Sequence, residues 1–134
     1  MKNSNSILSK IIIVSVLAVQ GFSNPVLAQD QQPNCTNPMT QTDMNICSGI
    51  AYEKADKKLN QVYKQLQSKS SKSEQAQLVK VQQIWIKFRD AVCNYEGMGY
   101  EGGTIQPLII ATCLEQYTIQ RTNELSQDLN NMSR

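Results

Sequence analysis

The chain has 134 residues, 13 basic and 11 acidic side chains, a formal net charge of +2, four cysteines and no histidine. A near-neutral balance excludes the basic excess of a nucleic-acid binder. The missing histidine removes the commonest general base and the commonest metal ligand.

The first segment is an address. Lys2 and Lys10 flank a polar start, residues 11–19 form a short apolar run, and Val26-Leu27-Ala28 follows. This pattern predicts a secretory signal peptide over residues 1–28, cleaved after Ala28. The run is too short to span a bilayer comfortably. No cysteine directly follows Ala28, so a lipoprotein anchor is not expected and no membrane contact is expected after cleavage. The export signal does not separate a periplasmic from a secreted destination. Lys2 and Lys10 are two of the 13 basic residues, so the mature chain carries 11 of each sign and is neutral.

Residues 29–39 are polar, contain Pro33 and Pro38, and read as an extended lead-in to a single domain over residues 40–134. Thr40-Gln41-Thr42-Asp43 resembles a capping box, with the hydroxyl accepting from first-turn amides and Asp43 favouring the positive helix end. Met44, Cys47, Ala51, Ala55, Leu59, Val62 and Leu66 then recur at steps of three and four, which predicts a first helix of about seven turns. Residues 68–73 are a soluble turn of serines and lysines, and Ser71 with Glu74 offers a second capping box. Leu78, Val81, Trp85, Phe88, Val92 and Tyr95 follow at heptad-like spacing and predict a second helix with that stripe as its core face.

Residues 96–103 hold four of the six glycines and are expected to stop the helix. Thr104 and Pro107 suit the start of a third helix. Its predicted apolar face is Ile110, Leu114, Tyr117, Leu125, Leu129 and Met132, interrupted by Arg121. No segment reads as a strand. The expected fold is all-α: a small disulfide-braced bundle made of a long antiparallel helical hairpin and a third helix laid against it.

An even cysteine count in a small exported chain reads as two disulfides. Cys35, Cys47, Cys93 and Cys113 allow three pairings, and their order favours two local loops, Cys35–Cys47 and Cys93–Cys113, each contributing about 3 kcal/mol. Zinc is not expected, because there is no histidine and no Cys-x-x-Cys pair. No other cofactor is indicated.

Little in the chain supports catalysis. Glu53 and Asp56 lie three apart on the first helix, but Lys54, Lys57 and Lys58 make this a solvated face. Asp56, Asn60, Arg89, Asp90 and Arg121 read as a structural polar network between helices, with Arg121 pairing to Asp56 or Asp90. The glycine-rich segment lacks the Gly-Lys-Ser/Thr of a phosphate loop. It is instead a candidate partner-binding loop, displaying Glu96, Met98, Tyr100, Glu101 and Thr104.

Several pieces together resemble the LprI-like family. They are residues 42–47 (TDMNIC), residues 55–63 (ADKKLNQVY), residues 82–93 (QQIWIKFRDAVC), Gly102-Gly103-Thr104, and Cys113-Leu114 with Thr118 and Arg121. The resemblance covers nearly all of residues 35–129. It implies an exported, disulfide-braced helical domain and, from the family's name-giving member, inhibition of lysozyme. The lipoprotein cysteine of that member has no counterpart here. On this reading the partner is lysozyme and the loop plugs its cleft sterically while hydrogen-bonding to the cleft's carboxylates. The alternative is a non-catalytic cell-envelope accessory protein that binds another exported protein, with Ile84, Ile86 and Ile109 lying off the main apolar stripes.

Overall fold

The computed structural model describes residues 33–132. The expected signal peptide, its cleavage point and the first part of the lead-in lie outside those residues. Three helices make up the fold: α1 (Gln41–Lys69), α2 (Lys72–Met98) and α3 (Gln106–Asn131), with no strand among the described residues. No helix among them is long and apolar enough to cross a membrane.

Local chemistry sets the first two helix starts. Thr40 caps α1 and Asp43 reaches back to the cap amide, so the expected capping box is present. Ser71 and Glu74 repeat the arrangement on α2. The hydrogen bonds from Ser71 hold the Glu74 carboxyl below its usual range. Helix α3 has no side-chain cap and starts with a proline in its first turn. Thr104 is not its cap.

The closest helix pair is α1 with α3. Helix α2 packs mainly against α3 and touches α1 least, so the covalent hairpin α1–α2 is not the tightest unit. Small side chains explain this. Ser48 on α1 and Thr118 and Thr122 on α3 are buried, and the Thr122 hydroxyl donates to the Thr118 carbonyl. Such positions let two helix backbones approach closely and satisfy their own polar groups.

The interior has three levels. At the α1–α2 turn end, Leu59, Val62, Leu66 and Leu125 form the apolar core, with Tyr63, Leu78, Trp85 and Leu129 against it. A polar level built on Arg89 comes next. At the far end lie two disulfides, Cys35–Cys47 and Cys93–Cys113, with Cys93 and Cys113 themselves buried.

The stripe expected on α2 is only partly inward. Trp85, Leu78 and Val92 are partly buried, whereas Val81, Phe88 and Tyr95 are 49%, 53% and 75% exposed. The buried residues of α2 are Arg89, Cys93 and Gly97, spaced by four. The disulfide to Cys113 fixes that line toward α3 and turns Phe88, about 100° round the helix from Arg89, to the outside.

Candidate functional site

The glycine-rich segment is shorter as a loop than its composition suggests. Helix α2 runs through Glu96 and Gly97 to Met98, so Glu96 and Met98 sit on its last turn. Gly97 is buried there because α3 crosses over it. A Cβ at that position would lie 2.5 Å from Ile110 Cγ1 and 2.7 Å from Ile110 Cδ1. The Gln106 side-chain amide also donates to the Gly97 carbonyl at 3.2 Å. Gly97→Ala is therefore expected to cost about 1–3 kcal/mol through overpacking, read as a lowered thermal midpoint. An unchanged midpoint would show that Ile110 yields freely.

Beyond Met98 the chain makes a run of tight turns. The amides of Tyr100, Glu101, Gly103 and Gln106 donate to the carbonyls of Gly97, Met98, Tyr100 and Gly103. Gly102 adopts φ +76°, a conformation that favours glycine. The Asn45 side-chain amide donates to the Thr104 carbonyl at 2.9 Å and ties the loop to α1. The loop is thus held by both neighbouring helices and by Cys93–Cys113. From this frame Met98 is 63% and Tyr100 45% exposed, and Glu96, Glu101 and Thr104 also face solvent. Tyr95 adds to this surface. The sequence reading placed it in the core stripe, and only the rotation of α2 reveals it.

The polar level contains four of the five residues expected to form a network. Arg89 is buried, and its guanidinium meets the Asp90 carboxylate at 2.8 Å, donates to the Thr118 hydroxyl at 3.2 Å and lies 3.9 Å from Asp56. It also stands over the rings of Trp85 and Tyr52, at 5.1 and 5.5 Å. Asn60 donates to Asp56 at 2.8 Å. A buried cation with two carboxylates and two aromatic faces is well satisfied, which fits a clamp between helices.

Arg121 is the exception. It donates to Gln82 at 3.1 Å and to Glu124 at 2.9 Å, not to Asp56 or Asp90. The reason is its level: Thr118, three residues earlier on α3, already meets Arg89, so Arg121 lies about one turn beyond and faces Gln82. Asp56 is engaged by Asn60 and Arg89, so it is not free to act with Glu53 as a carboxylate pair. A cleft of about 280 Å³ opens beside this cluster, lined by Asp56, Tyr63, Gln83, Trp85 and Ile86 among others. A wider groove of about 520 Å³ lies at the core end, between Leu66, Leu78, Val81, Leu125 and Met132. No group of three or more His, Cys, Asp or Glu side chains among the described residues is placed to hold a metal.

An uncharacterized protein of Rhizobium meliloti (strain 1021) is 30% identical over 116 residues, covering 77% of this chain and 84% of the relative. No solved structure matches. The family model described as lysozyme inhibitor LprI matches residues 33–125. That stretch takes in both disulfides, all of α1 and α2, and α3 as far as Leu125, the most deeply buried leucine of the core. The chain belongs to the lysozyme inhibitor LprI family.

Proposed function

We propose that the protein is an exported, non-catalytic inhibitor that blocks the cleft of a lysozyme with the surface formed by Glu96, Met98, Tyr100, Glu101 and Thr104. The carrying observation is that this surface is displayed from a frame pinned on three sides, by Cys93–Cys113, by Gly97 against Ile110 and by Asn45 on Thr104. A loop ordered before binding loses little entropy on docking. Lysozyme works with two carboxylates in an open cleft. Tyr100 is sized for a sugar subsite, the Thr104 hydroxyl offers a donor to a carboxylate, and Glu96 and Glu101 steer toward a basic enzyme.

The disulfides suit an oxidising compartment, and the predicted cleavage after Ala28 would release a periplasmic or secreted chain. The test is lysis of a peptidoglycan suspension by a c-type lysozyme, with and without the oxidised chain 29–134. Dose-dependent protection is expected. The double variant Tyr100→Ala, Glu101→Ala is expected to need about 10–100 times more protein for the same protection. Equal protection by the double variant would remove the loop from the contact. No protection from c-, g- or i-type enzymes at large excess would favour the accessory-protein reading.

A further inference from the structure

We infer that the outer face of α2 is a self-association seam, on which a second copy of the chain docks in antiparallel orientation. Val81, Ile84, Phe88, Ala91, Tyr95 and Met98 follow one another at steps of 3-4-3-4-3 along α2. All six are exposed, Ile84 by 68% and Tyr95 by 75%. This is the a/d repeat of a coiled coil, running for nearly five turns along the exposed side of α2, with Val81 and Phe88 at the edge that borders α3 and Ile84, Ala91, Tyr95 and Met98 farther round. Other exposed large apolar side chains on the helices are more scattered, such as Ile46 and Ile50 on α1 and Ile119 on α3. A continuous apolar seam of this length on a water-facing helix marks a contact surface. The Phe88 ring is already positioned by an edge-on contact with Tyr117 at 5.9 Å.

The repeat and the charges select the occupant. A 3-4 seam is filled by a helix with the same repeat. Two antiparallel copies of α2, centred between Phe88 and Ala91, set Val81 against Met98, Ile84 against Tyr95 and Phe88 against Ala91. The largest central side chain then meets the smallest.

One margin of the seam carries Lys80, Lys87, Asn94 and Glu101, each seven residues from the last. Glu101 lies just past the end of α2, in the tight turn whose amide donates to the Met98 carbonyl at 3.2 Å, which keeps it at the end of this margin. Reversing one copy therefore brings Lys80 to Glu101 of the other and Lys87 to Asn94 of the other. No like charges meet. A parallel pair would instead lay both lysines against Trp85 and Val92. The pair covers on the order of 1,000 Å² in total, at the low edge of specific interfaces, so the dimer is a weak one.

Sedimentation velocity of the oxidised chain 29–134 from about 5 to 500 μM tests this, the range in which so small an interface should titrate. The expected result is a mass that rises from one chain toward two. Ile84→Glu, at an exposed position, should remain monomeric throughout with an unchanged thermal midpoint. Lys80→Glu should weaken the dimer about tenfold, and adding Glu101→Lys to it should restore association. A monomer across the whole range overturns the inference and leaves the seam to a different protein. A dimer indifferent to Ile84→Glu overturns the seam, and one indifferent to Lys80→Glu overturns the antiparallel register. Ile84 lies about 20 Å along the helix from Met98, so its variant should still protect peptidoglycan, separating this inference from the lysozyme reading.

Discussion

Leu125→Ala is expected to lower the stability of the oxidised chain by about 2–5 kcal/mol, the range for deleting a fully buried leucine. Leu125 is 1% exposed and belongs to the cluster with Leu59, Val62 and Leu66, to which Leu78 and Trp85 of α2 are also packed. It therefore belongs to the cluster on which all three helices converge. A domain of this size holds roughly 5–15 kcal/mol in total, so the loss is a large share of it. Thermal unfolding followed by far-UV circular dichroism should show a midpoint lowered by more than about 10 °C. Trp85 is the only tryptophan and packs against the same cluster, so its fluorescence should report the transition at the same temperature. A shift below about 2 °C would mean that the core re-closes around the cavity.

Removing the second disulfide should act differently. Cys93→Ala with Cys113→Ala is expected to cost about 3 kcal/mol from loop closure alone. The two sulfurs belong to residues 0% and 4% exposed, so the variant also loses interior packing. The damage should concentrate where the bridge sits. Amide exchange in residues 99–106 should accelerate well beyond that of Leu59–Leu66, because the apolar core lies at the opposite end. Lysozyme protection should fall with loop order. Removing Cys35–Cys47 should cost less, since Cys35 is exposed and belongs to the short lead-in before α1. Equal exchange throughout the variant would show that the ends are not separable.

Much of the fold was legible because it is written locally. The two capping boxes need only Thr40 with Asp43 and Ser71 with Glu74, and both helices begin where those residues stand. The order of the cysteines favoured the pairing that the structure contains. The orientation of α2 was not legible. Apolar residues cover more than half its circumference, and a periodicity count cannot say which part meets a neighbour. The choice is made by Cys113, Ile110 and Thr118 on α3, which select Cys93, Gly97 and Arg89. Arg121 failed for a related reason: its partner depends on the stagger between helices, which spacing along one chain does not encode. At the candidate site, glycine content pointed to a loop from Glu96, yet Gly97 is needed for close packing within the helix.

The separation of cohesion along the bundle has an evolutionary consequence. The end that displays Tyr100 and Glu101 is joined by sulfur bridges and backbone hydrogen bonds, not by the side chains it shows to solvent. Substituting those displayed residues leaves the leucine cluster at the other end untouched. Descendants of such a chain can vary what that end displays while inheriting the same foundations, as a key keeps its bow when its teeth are recut.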